Sequence, residues 1–202
     1  MTFWDRIAGA YDLAEKTNRR ANDETLRQVR ELVPQWSSVL DCAAGTGEFS
    51  LAAAERAGAV MCTDLSQAML DRAEKKAKKR GVTNISFTLR DLTALPEGDG
   101  MYDVVIAANV LHLLPQPEKA LGELWRVTAP GGRLILPTYL QGEATAFARL
   151  SIALYQKLGF RYQRSFTLTT YRNFLWEQGL PARVKRVPGR ISVGLAVCEK
   201  PL

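Results

Sequence analysis

Three aspartates each close a short, largely apolar run: Val39-Leu40-Asp41, Val60-Met61-Cys62-Thr63-Asp64 and Phe87-Thr88-Leu89-Arg90-Asp91. A carboxylate at a strand's end can accept hydrogen bonds from both hydroxyls of a ribose, which makes Asp64, 23 positions after Asp41, a candidate for a nucleoside. Asp91 can take the exocyclic amine of adenine, with Leu92 packed on the ring. Between Asp41 and Asp64 lies a loop of small residues, Ala43-Ala44-Gly45-Thr46-Gly47. Glycine lets a ligand approach where a Cβ would collide, and the helix that follows opens with free N–H groups. A dinucleotide fingerprint is G-x-G-x-x-G. Aligned on Gly45, this chain has Ala43, Gly45 and Glu48, so two of the three glycines fail. A phosphate-cradling G-x-x-x-x-G-K-[ST] is absent as well. The loop therefore suits a nucleoside without a pyrophosphate. Taken singly, the glycines read as a turn and Asp64 as a helix-capping acid.

For proton transfer the candidates are few. His112 is the single histidine and follows an apolar run, Tyr102 to Ala108; its alternative is a packing or helix-start histidine. Tyr11 and, more weakly, Tyr139 are phenolic alternatives. Tyr11 equally fits the core stripe of a short amphipathic helix, Trp4, Ile7, Ala8 and Tyr11. One histidine and three scattered cysteines, Cys42, Cys62 and Cys198, give no metal-ligand spacing. The cysteines read as small buried hydrophobes.

These residues need elements to hold them. Leu26, Val29, Leu32 and Val33 mark a helix after a polar stretch, Glu15 to Glu24. Strands and helices then alternate: strand Ser38–Cys42, helix Gly47–Ala57, strand Ala59–Thr63, and a helix capped by Ser66 and ended by Gly81. Strands at Asn84–Leu89 and Tyr102–Ala108 follow, then a helix from Pro117, a break at Pro130-Gly131-Gly132, and a strand Arg133–Pro137. Phe147, Leu150, Leu154 and Leu158 fall at helical spacing. Thr167 caps a helix to Gln178. Runs at Ala182–Val187 and Ile191–Glu199 flank Pro188-Gly189 as a hairpin. Alternating βα units imply a mostly parallel sheet covered on both faces. The expected architecture is a Rossmann-like three-layer α/β sandwich: seven strands, mostly parallel, ending in an antiparallel hairpin. One domain over 1–202 is expected, with a helical cap at 1–34 and an acceptor-side insertion at 140–165.

Composition sets outer bounds. Of 202 residues, 47% are hydrophobic and 24% charged, as in a soluble globular protein. No apolar run reaches the ~20 residues of a membrane span, and Met1 to Asp5 shows no basic start followed by an apolar stretch, so no secretory signal is expected. A cytoplasmic protein is expected. The net charge is +6, concentrated at Lys75 to Arg80 and Arg183 to Arg190. Solvated surface is the preferred reading, with a patch for RNA, anionic lipid or an acidic substrate as the sharper one.

Asp41 to Gly47, Thr63-Asp64-Leu65-Ser66-Gln67-Ala68-Met69-Leu70, Arg90-Asp91, Asp103 to His112, and Ala120 to Val127 before Pro130-Gly131-Gly132 together resemble the class I S-adenosylmethionine (SAM)-dependent methyltransferases. The nearest group is that of ubiquinone/menaquinone biosynthesis, whose N-terminal Ala-x-x-Tyr-Asp is matched by Ala8 to Asp12. The departure is Ala43, where the D-x-G-x-G-x-G pattern has its first glycine. The resemblance implies SAM as cofactor and S-adenosylhomocysteine (SAH) as product, without a metal. It implies that Asp41 and the Ala43–Gly47 loop line the methionine end and that Asp64 binds the ribose. Leu65 and Met69 would flank the adenosine, Asp91 and Leu92 would hold the adenine, and Asn109 would contribute from the fourth strand. Tyr11 would stand near the sulfonium.

The expected activity is methyl transfer to a small, partly apolar acceptor by in-line displacement, with His112 and Tyr11 as catalytic candidates. The expected assembly is a monomer or homodimer that does not bind nucleic acid. Two alternatives stand beside it. One is an RNA or protein methyltransferase, disfavoured because Ala108-Asn109-Val110-Leu111 lacks the N/D-P-P-Y/F motif. The other is a SAM-fold protein that transfers no methyl group.

Overall fold

A computed structural model describes residues 4–6, 9, 16–145 and 162–202. Seven strands form one sheet: β1 Ser38–Cys42, β2 Ala59–Asp64, β3 Ile85–Leu89, β4 Tyr102–Ala107, β5 Thr128–Tyr139, β6 Arg183–Val187 and β7 Val193–Glu199. Their order is β3-β2-β1-β4-β5-β7-β6. The first five pair in parallel, and β7 runs antiparallel between β5 and β6. The helices are α1 Arg19–Leu32, α2 Glu48–Ala54, α3 Gln67–Arg80, α4 Pro117–Val127 and α5 Leu168–Glu177. This is the Rossmann-like sandwich expected from the alternation. The chain reverses direction across the sheet between β1 and β4, so a crevice opens beyond their carboxyl ends.

Successive strand residues point to opposite faces, which explains the near-continuous apolar runs. Leu40, Val105, Leu134 and Ala196 pack with Leu121 and Leu124 of α4 and Tyr171 and Leu175 of α5. Their neighbours Val39, Val104, Ile135 and Leu195 pack on the other face with Ala21 and Val29 of α1 and Ala53 of α2. The three cysteines are buried thiols, as their apolar settings suggest.

The helix boundaries have local causes. The Ser66 side chain accepts from Met69 N and Gly81 closes α3 at φ 69°. Thr167 and Thr170 form a reciprocal capping box on α5. Three boundaries differ from the sequence reading by more than two residues. Helix α1 starts at Arg19, inside the polar stretch, because its buried face is the small-residue set Ala21, Thr25 and Val29. The Thr25 hydroxyl is answered by the Ala21 carbonyl at 2.7 Å. Helix α2 ends three residues early, at Ala54. Pro130-Gly131-Gly132 does not separate α4 from a strand but lies within β5, where the pairing with β4 shifts register between Tyr102 and Val104. A Cβ on Gly132 would stand 2.8 Å from both Ala129 O and Asp103 O, so the bulge requires glycine there.

Candidate active site

The loop after β1 is held in left-handed conformation at Ala43 (φ 51°), Gly45 (φ 56°) and Gly47 (φ 80°). Alanine in that region costs about 1–2 kcal/mol relative to glycine, so Ala43 carries strain that a glycine would relieve. Ala44 N donates to Thr63 O at 2.9 Å, and Gly47 N to Ala44 O at 3.0 Å. Asp64, at the end of β2, completes the brace. One oxygen accepts from Gly45 N at 2.8 Å and the other from Ser66 N at 2.9 Å. Burial raises the pKa of this carboxyl above the ordinary aspartate value, against the pull of those N–H groups.

Asp41 lies beneath the loop, fully buried. Its Oδ2 accepts from Ser50 Oγ at 2.6 Å, while Oδ1 has no partner. Burial first, and the charge of Asp64 in addition, push its pKa up to about 7. Glu48, at the start of α2, is ion-paired to Lys76 at 2.7 Å and to Arg80 at 3.1 Å. The mouth of this helix thus presents a carboxylate whose cationic partners are already engaged, an unsuitable place for phosphate.

The cleft beside the loop opens to solvent, and the space it encloses together with that open part is about 730 Å³. Ala43, Gly45, Asp64, Leu65 and Met69 line it from the β1 and β2 side. Arg90 and Leu92 line it from β3, and Ala108, Asn109, Val110, Leu113 and Leu114 from β4. Trp4 closes over it, next to Asp5, which accepts from Ser66 Oγ. Asn109 takes a left-handed conformation (φ 53°), donates its N–H to Pro137 O at 2.7 Å, and leaves Oδ1 buried without a partner.

Seven of the anticipated residues therefore border one cleft: Ala43, Gly45, Asp64, Leu65, Met69, Leu92 and Asn109. Gly47 and Asp41 lie behind the loop rather than in the lining. Asp91 is exposed, and its Oδ1 accepts from both Thr93 N (2.8 Å) and Thr93 Oγ1 (2.7 Å). Arg90, anchored to Glu97 at 3.0 Å, takes the lining place beside Leu92. Tyr11 and the stripe at Phe147, Leu150 and Leu154 lie outside the described residues.

His112 is 2% exposed and does not line the cleft. Its ring meets that of Tyr139 edge-on at 6.4 Å. Its Nδ1 has no partner, and burial lowers its pKa to about 3. Tyr139 Oη donates to Asn22 Oδ1 at 3.1 Å. Gln141, just past β5, was not anticipated as a site residue. It is 8% exposed and its Oε1 is buried without a partner. A buried acceptor left unanswered costs about 1–3 kcal/mol, and native proteins keep few of them. The only sequence signal was a polar residue directly after a long apolar strand. Among the described residues no group of three or more His, Cys, Asp or Glu could hold a metal ion, and no helix is long and apolar enough to cross a membrane.

A family profile described as "Methyltransferase domain" matches residues 39–132, from β1 into β5. A demethylmenaquinone methyltransferase of Thermus thermophilus is 37% identical over 166 residues, which cover 77% of this chain and 72% of that protein. The chain belongs to the SAM-dependent methyltransferases of the ubiquinone/menaquinone-biosynthesis group. A ubiquinone/menaquinone biosynthesis C-methyltransferase of Bdellovibrio bacteriovorus is 38% identical over 114 residues, 55% of this chain and 48% of that protein. The methyltransferase thus spans about half the length of that relative. Among solved structures, the fold matches one from a complex of the Haloferax volcanii Trm112 methyltransferase activator with a methyltransferase, at TM-score 0.80 and 16% identity, covering 98% of this chain and 96% of that one. At that identity the likeness concerns the fold alone. SAM is the cofactor of this family. Among the described residues the cleft lining presents a single carboxylate at Asp64, apolar walls at Met69 and Leu92, and one guanidinium at Arg90 rather than a cluster of cations.

Proposed function

We propose that this methyltransferase transfers the methyl group of SAM by in-line displacement to a small, partly apolar acceptor of the hydroxylated aromatic class, such as a naphthoquinol. The observation that supports it most is the braced Asp64. Both its oxygens hold loop N–H groups, yet a carboxylate offers about four lone-pair sites, so acceptor capacity remains for the ribose hydroxyls. Met69 and Leu92 fit the adenine, and Leu65 and Arg90 its rim. Asp91 sits one residue away, with its second oxygen available for the exocyclic amine. Ala43, Gly45 and Asn109, with Asp41 behind them, fit the methionine end. The cofactor supplies an activated sulfonium methyl, so the chain's task is to bind, orient and exclude water, which can lower a barrier by ~7–11 kcal/mol.

The acceptor class rests on the quinone named in the relatives and on the apolar side chains Val110, Leu113 and Leu114 after β4. Tyr11 and His112 remain the catalytic candidates. A histidine kept neutral by burial suits accepting a hydrogen bond better than storing a proton. The basic residues favour the surface reading over RNA. Lys78 is paired with Glu74, Arg183 with Glu199 and Arg186 with Glu143.

Two measurements test the reading. SAM or SAH at a hundredfold over its dissociation constant stabilises the native state by ~2.7 kcal/mol, a melting shift of roughly 5–10 °C. A shift with NADH or ATP but none with SAH would remove the cofactor assignment. SAH formation with 1,4-dihydroxynaphthalene, the reduced form of 1,4-naphthoquinone, as acceptor tests the transfer itself. Asp64→Ala is expected to weaken SAH binding at least tenfold, from a hydrogen bond to a charged group worth ~1.5–3 kcal/mol. Unchanged affinity by calorimetry would move the ribose elsewhere.

A further inference from the structure

Arg90 stands where a nucleoside held at Asp64 would present its base. Its backbone N–H donates to the Asp64 carbonyl at 3.1 Å, which makes the two residues neighbours across the ends of β2 and β3. Its side chain lines the same cleft as Asp64, Met69 and Leu92, and keeps 30% of its surface open. Two hydrogen bonds fix it there: Nε donates to Glu97 Oε1 at 3.0 Å and Nη1 to the Leu89 carbonyl at 2.9 Å. Glu97 is fixed in turn. Its side chain is 7% exposed, and its carbonyl accepts from Arg126 Nη1 at 2.7 Å. Asp91, one residue on, is placed differently. It is exposed, is absent from the lining, and gives Oδ1 to the N–H and hydroxyl of Thr93.

The chemistry of these two side chains divides the work between them. A guanidinium carries five N–H donors in one plane, and the bonds to Glu97 and Leu89 engage Nε and Nη1 but not Nη2. The plane is already ordered, so little rotamer freedom is lost when a ligand meets it. Adenine suits such a donor: its exocyclic amine is flanked by two accepting ring nitrogens, N1 and N7. An amine turned toward Asp91 brings one of them to the neighbouring Arg90. The bond to Asp91 forms in open water and replaces a water bond of similar strength. The bond to Arg90 forms on a cleft wall, beside the buried side chains of Met69 and Leu92. Glu97 offsets the guanidinium charge, so the wall does not set a lone cation against the cationic sulfonium.

We propose that Arg90 is a specificity-determining residue for the cofactor's base: its guanidinium, held by Glu97, donates to a ring nitrogen beside the exocyclic amine and contributes more to affinity than Asp91 does. This rests on the SAM reading above.

Calorimetry on the full chain measures three probes: SAH and its 1-deaza and 7-deaza analogues, each lacking one of the two nitrogens. The wild type is expected to bind one analogue about tenfold more weakly than SAH. Arg90→Ala is expected to weaken SAH about tenfold and to bind that analogue within about twofold of SAH. Arg90→Lys keeps the charge without the planar fork and is expected to lose the preference as well. Asp91→Ala is expected to weaken SAH about threefold or less. A merely structural role would weaken all three probes equally and leave the wild-type ratio intact. That result, an SAH affinity of Arg90→Ala within about twofold of the wild type's, or a larger loss from Asp91→Ala than from Arg90→Ala, overturns the assignment of Arg90 and spares the SAM reading. A wild type that binds both analogues as tightly as SAH overturns it too. If the wild type binds no SAH, the SAM reading falls and this proposal with it. Should Arg90→Ala not fold, Arg90→Met gives the same ratios.

Discussion

Gly47→Val is expected to lower the melting temperature by about 6–12 °C and to weaken SAH binding more than a hundredfold. Gly47 sits at φ 80°, where a branched residue is an outlier. A Cβ there would stand 2.7 Å from Ala73 Cβ and 3.3 Å from Ala73 Cα, on the buried face of α3. The conformational cost of about 1–2 kcal/mol and an overpacking cost of about 1–3 kcal/mol add to about 3 kcal/mol. In a chain of this size each kcal/mol is roughly 2–4 °C. Relief by moving the loop would displace Gly45 N from Asp64 and spoil the cleft. Gly81→Ala is the control: its φ is 69° but nothing lies within 4 Å, so only the conformational cost remains. A Gly47→Val protein that melts within 2 °C of wild type and binds SAH normally would refute this account of the loop.

Two buried groups are expected to cancel each other's pH dependence, and single substitutions should expose it. Asp41 is raised from 3.8 to about 7. Its contribution to stability is therefore complete below pH ~4 and lost as pH rises through 7. His112 is lowered from 6.5 to about 3. Its contribution is complete above pH ~6.5 and is lost as pH falls toward 3. Between roughly pH 4 and 6.5 the native state holds one extra proton on Asp41 and one fewer on His112. Each imbalance is worth about 1.4 kcal/mol per pH unit, with opposite signs. Relative to wild type, Asp41→Asn should lose about 3 kcal/mol of stability on going from pH 6.5 to 4. His112→Asn should gain a similar amount over the same interval, and the double variant should run parallel to wild type. Urea unfolding at several pH values reads all four curves. Single-variant curves parallel to wild type would show that neither group titrates as its burial implies.

What was legible in the sequence was whatever local chemistry determines. Ser66 and Gly81 mark the ends of α3 through capping and left-handed φ, and Thr167 marks the start of α5. The apolar runs ending in Asp41 and Asp64 fixed the loop between them, because a strand, a small-residue turn and a helix allow few geometries. What was illegible depended on partners distant in the chain. Helix α1 hides its start because its buried face uses alanine and threonine, which hydropathy does not flag. Pro130-Gly131-Gly132 reads as a break, yet neighbouring β4 turns it into a bulged strand. Asp91 has the right place for adenine, but Thr93 engages one of its oxygens and Arg90 reaches the lining. The burial of His112, which lowers its pKa to about 3, is not legible from its place after an apolar strand. Gln141 cannot be distinguished from a surface glutamine without the turn that buries it.

The position of β7 sets the order in which the fold can be completed during synthesis. This strand is synthesised after β6 and yet lies between β5 and β6. About fifty residues separate it from the end of β5, so at about 5–20 residues per second β5 waits roughly 3–10 s for its antiparallel partner. Through that interval its apolar residues, Leu134 to Leu136, border an open edge, the kind of template on which chains aggregate. The glycine loop and Asp64 are complete before then, since β1 to β4 pair without β7. Slow translation or loss of residues 193–199 would therefore leave β5 without its antiparallel partner and the chain prone to self-association.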